Sequence, residues 1–175
     1  MKILDLGCGS RKYKSNDAED EVIGLDIDRN SEADVIHDLS KFPYPFENEK
    51  FDIIQASHIL EHLDNPIEFI NEVQRILKKN GRLIIKVPHY SSATAVNFLE
   101  HKHFFNLSTF KTKYFTHFRV KGIRLNYSVY RNNISRKLIS GFFSFFANMN
   151  PRFCERFWCY WVGGFSEIEV EMIKI

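Results

Sequence analysis

At 175 residues the chain is sized for one domain with one sizeable core, and 44% hydrophobic with 26% charged residues mark it as globular. Its 24 basic and 22 acidic side chains leave a formal charge of +2 without any Lys/Arg block, too weak to imply nucleic acid, and none is expected as a partner. Three cysteines (Cys8, Cys154, Cys159), odd in number and without metal-ligand spacing, fit a reducing cytoplasm. The longest greasy run, 142–147, is far short of a membrane span, and no leader is expected ahead of Met1-Lys2-Ile3-Leu4.

Short apolar strands alternate with turns or helices through the first half. Ile3-Leu4-Asp5-Leu6 reads as a first strand, Val22-Ile23-Gly24-Leu25-Asp26 as a second and Asp34-Val35-Ile36-His37 as a short third. Phe51-Asp52-Ile53-Ile54-Gln55-Ala56 makes a fourth, and Leu83-Ile84-Ile85-Lys86-Val87 a fifth, closed by Pro88. Continuous runs of this kind suit strands buried on both faces of a parallel sheet, and right-handed crossovers turn the series into a doubly wound α/β sheet. One helix is clear between strands four and five. Asp64 or Asn65 can cap it, Pro66 sits in its first turn, and Ile67, Ile70, Val73, Ile76 and Leu77 recur at helical spacing. Its end is expected at Lys78-Lys79-Asn80-Gly81, with Gly81 as the left-handed cap. Residues 11–21 carry almost no apolar periodicity and predict a loop or a single turn.

Chemistry collects after each strand, where open α/β sheets place their ligands. Gly7-Cys8-Gly9 follows strand one, and two glycines there let backbone pass close to a ligand; alone, the pair marks no more than a tight turn. A pyrophosphate fingerprint needs a further glycine at position 12, where Lys12 stands, and no P-loop pattern occurs. Asp26 ends strand two. Such a carboxylate can accept hydrogen bonds from both hydroxyls of a ribose, although a single aspartate in a turn is more often a solvated one. Asp38-Leu39 follows strand three, where the carboxylate can accept from an adenine amino group. Ser57-His58-Ile59-Leu60-Glu61-His62 follows strand four.

In this order and spacing, residues 1–90 resemble class I methyltransferases dependent on S-adenosylmethionine (SAM). Leu4-Asp5-Leu6-Gly7-Cys8-Gly9 is similar to the family's first motif, Asp26 to its ribose-binding acid and Asp38 to its adenine-contacting aspartate. Phe51-Asp52-Ile53-Ile54 with Leu60-Glu61-His62-Leu63 resembles the fourth motif. Residues 77–85 resemble the helix end and strand after it, with Arg82 replacing a usual glycine. The resemblance implies a Rossmann-like, mostly parallel sheet with an antiparallel C-terminal strand, SAM as cosubstrate, and SAM contacts from Asp5, Gly7, Cys8, Gly9, Asp26, Ile27, Asp38, Leu39, Ser57 and His58. Arg11 stands where the family often has another glycine, so the SAM carboxylate is expected to meet loop backbone, Arg11 or Lys12.

The second half reads differently. Ser108 or Thr109 can cap a short helix over 113–117, residues 118–130 form an imperfectly alternating strand, and 167–175 alternate as a final strand. Between these lies an aromatic helical insertion, 134–164, with Phe142, Phe143, Phe145, Phe146, Phe153, Phe157, Trp158, Tyr160 and Trp161 interleaved with Arg136, Lys137, Arg152 and Arg156. It reads as a cover packed over the sheet with most rings buried, or as a peripheral membrane contact through 138–165. One methyltransferase domain over 1–175 is expected, with 1–90 holding SAM and 91–175 the acceptor.

Methyl transfer is a displacement that needs alignment and a general base only if the acceptor must lose a proton. His101 and His103, shortly after strand five, are the catalytic candidates; otherwise one imidazole caps a loop and the other is solvated. No metal is expected at this His-x-His, because no carboxylate or cysteine completes a set. The leading function is transfer of a methyl group to a small-molecule or glycan-type acceptor, with oxygen favoured. A non-catalytic SAM- or nucleotide-binding module, or aminopropyl transfer on the same fold, are the alternatives.

Overall fold

β1 (Lys2–Leu6) lies inside a seven-stranded sheet ordered β3-β2-β1-β4-β5-β7-β6, seen in a computed structural model that describes residues 1–127, 134–159 and 164–175. β2 (Glu21–Asp26), β3 (Val35–Ile36), β4 (Phe51–Ser57) and β5 (Leu77–Pro88) run parallel with β1. β7 (Glu167–Lys174) inserts antiparallel between β5 and β6 (Phe118–Asn126). The chain leaves β1 towards β2 and β3, then returns to β4 on the other side. That reversal opens a crevice at the carboxyl ends of β1 and β4. Leu4, Leu6, Ile54, Ala56, Leu83, Ile85 and Val87 are fully buried, as continuous apolar strands require. The sheet is thus the expected mostly parallel α/β sheet, with antiparallel strands at its C-terminal side.

The β4–β5 crossover holds α1 (Pro66–Ile76), capped where Asn65 Oδ1 accepts the Glu68 N–H at 3.2 Å. Phe69, Ile70, Val73 and Ile76 are its buried face, each such residue contributing about 1.5–3 kcal/mol of burial. Ile67, expected on this face, is exposed instead. The helix also stops earlier than the periodicity predicts. Leu77 already pairs with Phe51, and a bulge separates that pair from Ile53–Arg82. Asn80, at φ 60°, takes the left-handed position expected of Gly81. Gly81 is needed for space, since a Cβ there would lie 2.8 Å from the Leu77 side chain and from the Lys78 carbonyl.

The β1–β2 crossover, residues 7–20, holds no helix, as its missing periodicity predicts. Side-chain carboxylates order it instead. Asp5 accepts the Tyr13 N–H at 2.7 Å, Glu32 the Lys12 N–H at 3.2 Å, and Asp20 both the Ser15 hydroxyl and the chain's amino terminus.

In the second half, the helix expected over 113–117 is a pair of 3₁₀ turns, Thr109–Lys111 and Lys113–Phe115. β6 ends at Asn126; its expected end at Tyr130 lies outside the described residues, as do Tyr160, Trp161 and the Arg136 side chain. The insertion begins as α3 (Ile134–Met149) and continues through Pro151–Phe153 and a π-helical turn, Cys154–Trp158. Its packing corrects the expected cover. Among the described residues of the insertion, Ser140, Ala147 and Cys154 are buried and Phe143 and Trp158 partly so, whereas Phe142, Phe145, Phe146, Phe153 and Phe157 are each at least half exposed. Small side chains face the sheet because α3 approaches β6 closely, which turns the large rings outward. Asn148 fixes that approach: its Oδ1 accepts the Leu125 N–H at 2.9 Å, and its Nδ2 donates to the Leu125 carbonyl at 3.0 Å and to the Ser144 carbonyl at 2.6 Å.

Replacing Asn148 with alanine removes two hydrogen bonds to β6 and one within α3. Asn148→Ala is expected to lower unfolding stability by about 2–3 kcal/mol in urea titration. An unchanged midpoint would show that α3 is held by its apolar contacts alone.

Candidate functional site

The crevice is built from strand ends upward. Gly7 and Gly9 leave β1 in left-handed conformations, at φ 68° and 54°. A Cβ on Gly7 would stand 2.0 Å from Ile59 Cδ1, so the strand end and the segment after β4 touch through that missing side chain. A Cβ on Gly9 would meet nothing within 4 Å, so there is open space beside this backbone, while its N–H and carbonyl are engaged by Asp26 and the Glu32 N–H. The Gly9 N–H donates to Asp26 Oδ2 at 2.8 Å, and the Asp28 N–H to Asp26 Oδ1 at 2.9 Å. These bonds aim the carboxylate while leaving lone pairs on both oxygens.

Gly7, Asp26, Ile27, Asp38, Leu39, Ser40, Ile59, His62, Leu63 and Asp64 line a cleft of about 300 Å³. Its far wall is stiffened from behind. The Tyr44 hydroxyl donates to the Leu39 carbonyl at 2.9 Å, the Tyr44 N–H to Glu72 at 2.9 Å, and Arg75 to the Tyr44 and Phe46 carbonyls. The Ser40 N–H and hydroxyl both donate to Asp38 Oδ1 and hold its carboxyl below the usual range, so it is an anionic acceptor at neutral pH.

Five of the sequence-derived contact residues, Gly7, Asp26, Ile27, Asp38 and Leu39, therefore line the cleft, and Gly9 orients one of them. Others do not line it. Asp5 is 4% exposed and spends its carboxylate on the Tyr13 N–H; burial pushes its pKa up. Cys8 is buried, its thiol pushed up to about 11 chiefly by desolvation. Ser57 closes β4 opposite Lys86. His58, at φ 57°, turns away from the cleft, its Nδ1 lying 3.2 Å from Glu61 Oε1 and its Nε2 2.9 Å from Glu167 Oε2. Those carboxylates raise the His58 pKa to about 9, Glu167 making the larger contribution. Lys12, a candidate for the SAM carboxylate, is paired with Asp34 at 2.8 Å, whereas Arg11 is exposed. Sequence reasoning missed Ser40, Ile59, His62, Leu63 and Asp64, although 59–64 are the tail of the fourth-motif segment.

The two candidate catalytic histidines part company. His103 Nε2 donates to the Leu63 carbonyl at 2.9 Å, and its ring faces a separate groove of about 550 Å³ lined by Leu60, Ile67, Phe104, Phe105 and Phe115 among others. His101 Nδ1 donates to the Ala95 carbonyl at 3.1 Å, and its ring lies edge-on to His62 with centroids 4.7 Å apart, at the cleft rim. Because a carbonyl only accepts, Nδ1 of His101 is the donor, which leaves Nε2 as the nitrogen that faces other partners.

An open sheet with reversal between β1 and β4, paired glycines after β1 and acids after β2 and β3 is the arrangement of SAM-dependent methyltransferases. The residues fit that cosubstrate: open space beside the Gly9 backbone, an aimed carboxylate at Asp26 for paired hydroxyls, and an anionic acceptor at Asp38 beside apolar Leu39 and Ile27. Comparison with known proteins agrees. The pattern of the methyltransferase domain family matches residues 1–131. An uncharacterized protein of Methanocaldococcus jannaschii is 31% identical over 101 residues, 51% of this chain and 42% of its own length. A ubiquinone biosynthesis O-methyltransferase of Glaesserella parasuis is 29% identical over 103 residues, 48% of this chain and 44% of its own. The chain spans less than half the length of these curated relatives. In structure, a SAM-dependent methyltransferase from Archaeoglobus fulgidus superposes with TM-score 0.63 at 18% identity, covering 99% of this chain and 86% of that one, a likeness of fold. The chain belongs to the methyltransferase domain family, whose enzymes use SAM as cosubstrate.

Gly7→Ala imposes a left-handed alanine and a collision with Ile59 together. It is expected to cost about 2 kcal/mol or more of stability and to close the cleft. Thermal melting with and without S-adenosylhomocysteine reads both effects; a variant as stable and as ligand-responsive as the wild type would refute this account of the β1 turn.

Proposed function

We propose that the protein transfers the SAM methyl group to an oxygen of a small-molecule or glycan-type acceptor. The observation that carries the reading is the cleft, in which Asp26 and Asp38 stand after successive strands on one side and His62 on the other. SAM supplies an electrophilic methyl group when bound. The chain's part is to seat it: Gly9 backbone beside the methionine portion, Asp26 on the ribose hydroxyls, and Asp38 with Leu39 and Ile27 at the adenine. Residues 1–90 do this work in our reading, and residues 91–175 supply the acceptor side of a single domain. The oxygen assignment is supported by the relative that is an O-methyltransferase, and by His101 Nε2 at the rim, which can engage a hydroxyl directly or through a bound ion. His103, bonded to the Leu63 carbonyl, fits a structural role better.

A membrane-surface role for the insertion is favoured by one observation. Phe142, Phe145, Phe146, Phe153 and Phe157 face outward next to exposed Lys137, Arg152 and Arg156, an amphipathic face suited to anionic lipid. No described helix is long and apolar enough to cross a membrane, so contact of this kind is peripheral.

Calorimetric titration with S-adenosylhomocysteine should show binding that Asp26→Ala weakens by about 1–3 kcal/mol. Undetectable wild-type binding near millimolar ligand would sink the cosubstrate assignment, and methyl-labelled SAM that never labels an acceptor oxygen would sink the acceptor chemistry. For the insertion, salt-sensitive pelleting with anionic vesicles is expected, and Phe142→Ser with Phe145→Ser should abolish it. A wild-type protein that stays in the supernatant at low salt would leave the outward rings without a lipid role.

A further inference from the structure

Glu61 is 1% exposed, yet one of its two carboxylate oxygens, Oε2, has no hydrogen-bond partner among the described residues. A buried carboxylate oxygen without a donor is costly even when its twin is paired, so a site that retains one is suited to something that completes it. Beside it stand two imidazoles. One carboxylate oxygen of Glu61 and one ring nitrogen from each of His62 and His101 lie within 4.8 Å of one another. No hydrogen bond between described residues engages the His62 ring, and His101 spends Nδ1 on the Ala95 carbonyl and leaves Nε2 unengaged. The other Glu61 oxygen is fixed by His58 Nδ1 at 3.2 Å, and His58 is itself anchored on Glu167.

We propose that Glu61, His62 and His101 form a divalent transition-metal site on the rim of the SAM cleft. Two neutral imidazoles and a carboxylate are a donor set for manganese, iron, cobalt or zinc ions, and poorly matched to magnesium, which prefers oxygen ligands and bound water. The surroundings match those of metal ligands. A ligating histidine commonly donates its second ring nitrogen to a backbone carbonyl, as His101 does, and a ligating carboxylate is held by an outer partner, as Glu61 is by His58. Bonds of about 2.1 Å require ligand atoms roughly 3–4 Å apart, so donors already within 4.8 Å of one another need only a short approach to share an ion. Three protein ligands leave coordination positions open. With His62 lining the cleft, those positions face the space in which the acceptor meets the methyl group. His101 is then a ligand, not a base, and the ion holds the acceptor oxygen; that use rests on the methyl-transfer reading, whereas the ion site does not.

The test uses tag-free, chelator-stripped protein titrated with Co²⁺, followed by visible absorption and calorimetry, with Mg²⁺ as the hard-ion comparison. Saturable one-to-one Co²⁺ binding with a micromolar dissociation constant is expected, and little response to Mg²⁺. His62→Ala and His101→Ala should each weaken Co²⁺ binding by roughly tenfold or more. Glu61→Gln should do the same; if it does not fold, the two histidine variants, checked by thermal melting, decide the matter. No saturable Co²⁺ binding up to about 1 mM, or wild-type affinity in both histidine variants, overturns the site. S-adenosylhomocysteine is titrated in the same preparations. Co²⁺ bound without it defeats the methyl-transfer reading and leaves the ion site standing, and the reverse result defeats the ion site alone.

Discussion

Two buried carboxylates that face one half-exposed imidazole tie the segment after β4 to the start of β7. Glu61 and Glu167 are 1% and 5% exposed, and like charges so placed repel strongly unless a cation stands between them. His58 is that cation. Its left-handed backbone carries the ring between the two acids, and the pair of contacts keeps it protonated through the neutral range. Glu61 belongs to the segment after β4 and Glu167 opens β7, so the contact staples the parallel half of the sheet to the antiparallel half. Asn126 of β6 completes it by donating to Glu167 Oε1 at 2.8 Å. Because the His58 side chain is itself 43% exposed, water screens the contact, and removing the imidazole costs less than breaking a fully buried pair.

The ligand cleft inherits its rigidity from similar side-chain bonds, since so little regular structure surrounds it. Where related folds place a helix after β1, this chain has carboxylates accepting backbone N–H groups. Asp5 holds Tyr13, Glu32 holds Lys12, and Asp34 holds both the Gly24 N–H and the Lys12 ammonium. Asp26 then locks Gly9 against β2. On the opposite wall, Arg75 and Glu72 of α1 reach back to the 44–46 backbone, and Tyr44 carries that support to Leu39. Preorganisation of this kind lowers the ordering cost a ligand must meet on binding.

The sequence was informative wherever position along a strand decides the outcome. Gly7, Asp26 and Asp38 end strands of one sheet, and parallel register alone brings strand ends to one rim; the five parallel strands and α1 were legible for the same reason. Side-chain direction was not legible. Asp5 and Asp26 are both strand-end acids, yet one faces a loop and the other the cleft, because tertiary packing decides which way each turns. His58 and His62 lie in one motif but point to different neighbours, for His58 alone adopts a left-handed backbone. His101 meets Glu61 and His62 through a long loop whose path no local pattern encodes, which is why the histidines after β5 looked like a pair and proved to serve separate surfaces. The aromatic insertion misled by composition: rings are commonly core, but here Ser140 and Ala147 take the inner face and leave the rings outside.

The Asn148 side chain, set against β6, has a consequence for how copies of this chain meet one another. A sheet has two rims, and an unpaired rim invites another chain to add its own strand. At one rim the danger is limited by brevity, because β3 has only two residues. At the other, β6 is long, and Asn148 with Ser144 occupies the outward backbone groups of Leu125 and Tyr127 that a foreign strand would use. Arg119, Lys121 and Arg124 along the same strand add repulsion between copies. α3 therefore guards the rim of the sheet as well as carrying aromatic rings.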